Sequence, residues 1–129
     1  MTPDYFMAKA TRAIASAKLL LKDGDLDGAC NRAYYAMFDA AHAALQWSGT
    51  EVDPAMTKTH RGLITAFGQH LIKPGLLPIE LGKLLNQVER IRLLADYTGE
   101  EIDADKTHWA VQQAELFIKT VRSKFASKK

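Results

Sequence analysis

The apolar residues of this chain recur mainly at spacings of three and four, which is typical of helices with one buried face. Thr2 and Pro3 suit a helix cap followed by a first-turn proline. The stripe that follows consists of Phe6, Ala10, Ala13, Ile14, Ala17, Leu20 and Leu21. No segment alternates apolar and polar residues over the length that a half-buried strand needs. The pattern therefore predicts an all-α protein.

Breaks in this pattern divide the chain into five predicted helices. The second helix covers about 26–47, and the third covers about 57–72 and stops before Pro74. The fourth runs from Pro78 to about residue 97, and the fifth begins near Asp103 or Asp105. Short connections favour antiparallel neighbours. We predict an up-and-down antiparallel bundle of four main helices plus a shorter fifth, with residues 1–129 forming a single domain.

The turn between the first two helices, with the sequence DGDLDG, resembles the start of a calcium loop. A twelve-residue loop of that kind ends in a bidentate glutamate, and this chain has Tyr34 there. Gly24 instead suits the end of one helix, and Asp25 or Asp27 suits the cap of the next. Because no Cys/His cluster has zinc spacing either, we predict no metal and no cofactor.

Composition and charge restrict the class of protein only moderately. The single cysteine excludes an intramolecular disulfide, and the amino terminus lacks the features of a signal peptide. No apolar run reaches the roughly 18 residues of a membrane span, so we predict a soluble, cytoplasmic protein with no membrane contact. The basic residues after Leu116 suit the end of a carboxy-terminal helix, with contact to RNA as the alternative. They are Lys119, Arg122, Lys124, Lys128 and Lys129.

The second predicted helix carries the first group of candidate site residues. Helical spacing puts one of the adjacent pair Tyr34 and Tyr35 on the same face as Asn31. Phe38, His42 and Leu45 continue that face. Arg32 precedes Tyr35 by three residues, which allows the guanidinium to stack on the phenol ring. The alternative is plain packing, with the tyrosine hydroxyls bonded to a neighbouring helix.

A second group ends the fourth predicted helix. Arg92 and Asp96 are four residues apart and can pair across one turn, while Arg90 and Tyr97 share a face. A guanidinium held by a carboxylate next to a phenol suits a phosphate group. An ordinary structural ion pair is the alternative. His60, in the segment Thr59-His60-Arg61-Gly62, is a candidate acid or base, but no Ser-His-Asp or Cys-His arrangement is evident.

Three of these segments together resemble the small prokaryotic HEPN domains. They are NRAYYAMF from Asn31, THRG from Thr59 and RLLADY from Arg92, and their order and separation match along nearly the whole chain. The resemblance implies a helical bundle that often forms a homodimer. It also implies a possible partner, a minimal nucleotidyltransferase (MNT), in a toxin–antitoxin pair. Many HEPN toxins are metal-independent RNases whose signature is R-x4–6-H, with two copies meeting across the dimer.

This sequence departs from that signature, because no histidine follows Arg92 four to six residues on. Asp96 stands at the position of the family's polar partner of the arginine, and its ordinary pKa near 4 makes it a poor acid at neutral pH. His60 would supply the missing imidazole if the fold brought it to Arg92. In HEPN/MNT pairs a tyrosine near the motif is a target of nucleotidylation, and by position Tyr97 is that candidate.

Two functional hypotheses follow from these residues. The first is a HEPN toxin that cleaves RNA, with Arg92, Asp96 and His60 as catalytic residues. The second is a non-catalytic HEPN module that binds a nucleotide or docks an MNT partner. In both, the candidate binding or modified residues are Tyr97, Arg61, Arg32, Tyr35 and Asn31. A helical adaptor without nucleotide chemistry is a third reading, which a buried Arg92–Asp96 pair away from any cleft would favour.

Overall fold

Four long helices form the frame of the molecule, and no strand occurs among the residues that the structure describes. The structure is a computed structural model that describes residues 2–99 and 102–125, without the side chains of Asp96 and Tyr97. The long helices are α1 (Pro3–Asp23), α2 (Leu26–Trp47), α5 (Ile79–Thr98) and α6 (Ala104–Phe125). The shorter helices are α3 (Pro54–Thr57) and α4 (His60–Phe67), and α4 continues into a π-helical turn, Gly68–Ile72. The predicted all-α bundle is confirmed.

The DGDLDG segment is a helix–helix turn, as its capping residues predicted. Gly24 ends α1 in the left-handed region with a φ of 86°, which costs a glycine little because it has no Cβ. The side chain of Asp25 caps α2 by accepting a hydrogen bond of 2.9 Å from the Gly28 amide. Asp27 accepts from the Ile102 amide at 3.2 Å, so this aspartate ties the turn to the segment before α6.

The core is unusually rich in alanine where α1 meets α2, the most extensive contact of any helix pair. Small side chains allow two helix backbones to approach closely. The buried alanines of these two helices are Ala10, Ala13, Ala17, Ala29, Ala33, Ala36, Ala40, Ala41, Ala43 and Ala44. Larger side chains fill the space toward α4, α5 and α6, where Phe67 and Phe117 stack with their ring centroids 5.4 Å apart.

The predicted third helix, 57–72, was wrong in its boundaries. Asp53 caps the separate short helix α3 through a 2.9 Å bond from the Ala55 amide. Thr59 caps α4 by accepting from the Gly62 amide at 2.9 Å. Each cap begins a new helix, because the capping side chain satisfies one of the first amides of that helix, which have no partner within the helix. After α4 the backbone hydrogen bonds change from an α-helical to a π-helical pattern. The Lys73 amide donates to the Gly68 carbonyl, five residues earlier.

The last two helices begin and end close to their predicted limits. Pro78 precedes α5, and Gly99 ends it with a φ of 68°. Asp103 accepts from the Lys106 amide at 2.7 Å, which satisfies one of the first amides of α6. In the described part of the chain, no helix combines the length and the apolar character that crossing a membrane requires.

Candidate functional site

Helices α2, α4 and α5 meet at one corner, where each contributes a polar side chain. Tyr34 of α2 is fully buried, and its hydroxyl lies 3.0 Å from Nδ1 of His60, the first residue of α4. Arg92 of α5 brings a guanidinium nitrogen to 3.4 Å from the same Nδ1. The guanidinium also lies 4.7 Å from the centroid of the Tyr34 ring, within the range of a cation–π contact. The fold thus gathers three residues that are distant in sequence.

A cap and a close backbone approach fix the position of His60. The Thr59 cap sets the start of α4, so His60 leaves the first turn toward α2. Gly62 lies directly against α3, and a Cβ built there would overlap the carbonyl oxygen of Met56. Only glycine allows this approach without moving the backbone, which explains the glycine of the THRG segment. The α3–α4 corner therefore holds the imidazole where Tyr34 and Arg92 reach it.

The protonation of this cluster follows from its donors. Burial raises the pKa of Tyr34 well above its ordinary value, with a further contribution from Glu89, so the hydroxyl keeps its proton. Arg92 only donates hydrogen bonds. Because Arg92 can only donate, its contact requires Nδ1 of His60 to accept, so the ring proton lies on Nε2 and the Tyr34 hydroxyl donates to Nδ1. Burial, and then the Arg92 charge, lower the pKa of His60, while Glu89 opposes this shift. The imidazole is therefore neutral at pH 7.

A second polar group lies beside the first and joins α4 to α5. One Arg61 guanidinium nitrogen lies 3.1 Å from a Glu89 carboxylate oxygen, and it donates to the side-chain oxygen of Asn86 at 3.1 Å. Asn86 in turn donates to the Gly82 carbonyl at 2.9 Å. Glu89 is buried with 7% of its surface exposed. A buried carboxylate needs such a partner, so Arg61 is engaged in holding α4 on α5.

Aromatic side chains of α2 border the cluster. The half-buried Tyr35 ring meets the His60 ring edge-on with centroids 5.6 Å apart. Phe38, one turn further along, lies 5.0 Å from His60 by the same measure. The exposed Arg32 lies 6.0 Å from the centroid of Tyr35, as its spacing predicted. Half-buried Asn31 lies one turn before Tyr35. The corner is thus a cationic group with an aromatic border.

The sequence of the whole helical unit matches a known family. The model of the HEPN domain matches residues 4–124, which is nearly the entire chain. The chain belongs to the HEPN family.

Relatives of this HEPN protein match it over most of their length. A UPF0332 protein of Gloeobacter violaceus is 36% identical over 120 residues, which cover 92% of this chain and 87% of the relative. A UPF0332 protein of Thermotoga maritima is 32% identical over 121 residues, covering 92% and 86%. The protein named "Putative toxin MJ0605" of Methanocaldococcus jannaschii is 27% identical over 113 residues, covering 88% and 81%.

The candidate residues of this HEPN domain separate into two sets. Arg92, His60 and Tyr35 come together, and Arg32 joins them through the Tyr35 ring, whereas Arg61 is paired with Glu89. The exposed Arg90 lies two residues before Arg92 on α5. The side chains of Asp96 and Tyr97 lie outside the described residues, so the predicted Arg92–Asp96 pair and the proposed modification of Tyr97 stay predictions.

Two residues of this corner were missing from the predicted site. Tyr34 was treated as one of two interchangeable tyrosines, although it is the one that bonds His60. Glu89 was passed over, although it precedes Arg92 by three residues and so lies near its face. The charge pattern of α5 could have indicated Glu89, because an acid near the apolar stripe requires a partner. Nothing local could have distinguished Tyr34 from Tyr35.

Proposed function

We propose that this HEPN protein binds RNA at the corner formed by Arg92, His60 and Tyr34 and cleaves it without a metal ion. The contact of Arg92 with His60 carries the proposal, because it joins an arginine and an imidazole that 32 residues separate. A guanidinium suits a phosphate, and an imidazole is the usual group for moving protons near neutral pH. In this proposal His60 supplies the imidazole that the R-x4–6-H signature would otherwise provide.

The proposed reaction is a transesterification within the RNA strand. The 2′-hydroxyl oxygen attacks the adjacent phosphorus, the bond from phosphorus to the 5′-oxygen breaks, and the products are a 2′,3′-cyclic phosphate and a 5′-hydroxyl. Arg92 stabilises the charge that develops on the phosphate oxygens. His60 takes the proton of the 2′-hydroxyl, and the imidazolium then gives a proton to the leaving 5′-oxygen.

The tautomer of His60 must change for this role. In the free protein Nδ1 accepts from Tyr34 and Arg92, so Nε2 carries the proton and is no base. When Arg92 turns toward a phosphate, one donor leaves Nδ1, and the Tyr34 hydroxyl can rotate from donor to acceptor. The ring proton then moves to Nδ1 through solvent, and the lone pair of Nε2 becomes the base. Tyr34 in this proposal is a positioning residue.

RNA cleavage in the presence of EDTA tests the proposal. Arg92→Ala should reduce the rate by about 100-fold or more, the typical cost of losing one group that stabilises developing charge. Arg90→Ala is the matched control, because Arg90 is an exposed arginine on the same helix, and its rate should stay close to wild type. His60→Ala should lose cleavage as well. Circular dichroism checks that each variant folds.

Equal rates for Arg92→Ala and Arg90→Ala would contradict an Arg92-dependent reaction. No cleavage by the wild type, at concentrations far above any dimer dissociation constant, would reject catalysis and leave the second candidate. That candidate is a HEPN module that binds RNA or a nucleotide without turnover. The arrangement of two donors on Nδ1 favours it, since it leaves no free base in the unliganded protein. Binding lost in Arg92→Ala, without cleavage by the wild type, would establish it.

We further propose that the chain acts as a homodimer within a HEPN/MNT toxin–antitoxin pair. The family membership and the relative named as a toxin support this proposal. A nucleotidyltransferase encoded beside the gene, supplied with ATP, should transfer a nucleotidyl group to Tyr97. Mass spectrometry of the peptide that contains Tyr97 would detect this transfer, with Tyr97→Phe as the control. A modification that persists in Tyr97→Phe would reject this assignment.

A further inference from the structure

A cavity lies beside the proposed RNA site, where the amino-terminal part of α1 and the carboxy-terminal half of α2 face the segment 50–57. Its volume is about 330 Å³, which falls within the range of roughly 300–1,000 Å³ that is typical of small-ligand sites. Aromatic, apolar and polar side chains line it: Phe6, His42, Leu45, Gln46, Thr50, Val52, Pro54 and Thr57. No lysine or arginine contributes to this lining, so the cavity suits an uncharged group.

Stacked rings form one wall of the cavity. The rings of Phe6 and His42 are nearly parallel, with centroids 4.6 Å apart and an angle of 10° between them. Burial lowers the pKa of His42, with a smaller effect of Lys9 in the same direction and a backbone hydrogen bond with Thr57 opposing both. His42 is therefore neutral at pH 7. Since the two rings cover one face of each other, this uncharged aromatic wall offers a flat heterocycle the ring edges and the outer faces.

The polar groups of the lining offer both donors and acceptors. The Thr50 hydroxyl lies 2.9 Å from the Ser48 hydroxyl, whose one proton has the Leu45 carbonyl as a closer acceptor at 2.7 Å, and Thr50 retains a lone pair for a ligand. The Thr57 hydroxyl donates to the Pro54 carbonyl at 3.1 Å and retains its lone pairs. Gln46 is exposed, and its amide provides both kinds of group. The edge of a nucleobase presents the same mixture of donors and acceptors.

The cavity and the proposed RNA site share one aromatic border. The centroid of the Phe38 ring lies 5.0 Å from that of His60 and 5.2 Å from that of His42, so the two imidazole rings are at most about 10 Å apart. Tyr35, Phe38 and His42 follow each other at helical spacing on α2, and all three are half-buried. A strand held by its phosphate at Arg92 would therefore pass along this border to reach the cavity.

We propose that the cavity receives a base of the single-stranded RNA whose phosphate binds Arg92. This inference rests on the proposed function and deepens it, because it makes single-stranded RNA the substrate class and gives the protein a contact outside the reacting phosphate. Base stacking on aromatic side chains tolerates different bases, whereas the groups of Gln46, Thr50 and Thr57 select among base edges. The cavity would thus determine which nucleotide stands near the cleaved bond.

Binding of an RNA octamer with 2′-O-methyl groups tests this inference apart from catalysis, since methylation removes the attacking hydroxyl. Phe6→Leu retains apolar volume but loses the stacking ring, and it should weaken octamer binding at least about fivefold. Tyr5→Leu is the matched control, because Tyr5 is an exposed aromatic neighbour of Phe6 outside the cavity lining. The affinity of this variant for the octamer should stay close to wild type.

Gln46→Leu removes a polar group that can recognise a base edge. Because Gln46 is exposed, this substitution should leave the fold unchanged. It should change the preference among octamers of different base composition.

Titration of ¹⁵N-labelled protein with each of the four ribonucleosides gives a second measurement. At least one nucleoside should shift the amide signals of Gln46, Thr50 and Thr57. Octamer affinity that stays unchanged in both Phe6→Leu and Gln46→Leu would overturn the inference, even if Arg92-dependent cleavage were present. Nucleoside binding without any effect of Phe6→Leu on the octamer would point to a free-nucleotide site and also overturn it. Weakened octamer binding without cleavage by the wild type would retain the base site and reject only the catalytic proposal.

Discussion

The contact between α1 and α2 and the corner of α2, α4 and α5 are held together in opposite ways. Alanines bring α1 and α2 close over a long contact that contains few polar groups. The corner depends instead on a few hydrogen bonds and ring contacts among Tyr34, His60 and Arg92. Added volume should destabilise the first region, whereas the loss of a polar atom should destabilise the second. Substitutions of the two kinds should therefore have different effects, and the predictions below are ordered by the size of the effect.

The largest effect on stability is expected from adding volume between α1 and α2. Ala13 is buried with 1% of its surface exposed, so Ala13→Leu should lower the free energy of unfolding by about 1–3 kcal/mol through overpacking. Ala15→Leu is the matched control on the exposed face of α1, with an expected change within about 0.5 kcal/mol. Urea denaturation measures both. Similar midpoints for the two variants would contradict close packing of α1 on α2.

A smaller loss of stability is expected from removing one hydroxyl oxygen at the corner of α2, α4 and α5. Tyr34→Phe removes the hydroxyl that bonds Nδ1 of His60 and should cost about 0.5–1.5 kcal/mol of unfolding free energy. Tyr35→Phe changes the half-buried neighbour and should cost less. The two variants sharpen the assignment of Tyr34 as the residue that positions His60. If Tyr35→Phe proved the more costly, the roles of the adjacent tyrosines would have to be exchanged.

The smallest effect, of opposite sign, concerns the buried acid on α2. Burial raises the pKa of Asp39 above its ordinary 3.8, although Lys9 and Arg32 oppose the shift. The folded state therefore ionises Asp39 at higher pH than the unfolded state does. The wild type loses stability as pH rises from 3.8 through the raised pKa. Asp39→Asn should be the more stable protein at pH 7, by less than the losses above, and this gain should vanish near pH 3.

Urea denaturation at several pH values measures this difference. The comparison of wild type and variant at each pH removes the contributions of all other titrating groups. A constant difference between pH 3 and pH 7 would mean that the shape of the asparagine, rather than the charge of Asp39, determines the effect.

The two regions also differ in how well the sequence predicted them. The helix stripes and the caps at Thr2, Gly24 and Asp25 depend on residues within one or two turns, so they were predicted correctly. The predicted boundaries of the third helix were wrong because Asp53 and Thr59 each cap a helix of their own. The apolar pattern continues across α3 and α4, so it does not show where one helix ends and the next begins. The π-helical turn after α4 has no local signature that the spacing reveals.

The corner itself depends on contacts between residues far apart in the chain. The positions of Arg92 and His60 suggested a possible contact, but only the packing of α4 between α2 and α5 determines whether they meet. The ion pair of Glu89 and Arg61 illustrates the same limit, since the apolar stripe indicates that Glu89 needs a partner but does not indicate that the partner is Arg61. Their pairing depends on the approach of α4 to α5, and no periodicity encodes that approach.

The order of the helices along the chain has a consequence during synthesis. The α1–α2 hairpin is local in sequence, which favours early folding, and it contains Tyr34. A nascent chain that has emerged as far as α4 has also added His60, but it still lacks Arg92 of α5. An unfinished polypeptide therefore has the aromatic border without the Arg92 guanidinium. The candidate site on the nascent chain is therefore incomplete until α5 has left the exit tunnel of the ribosome.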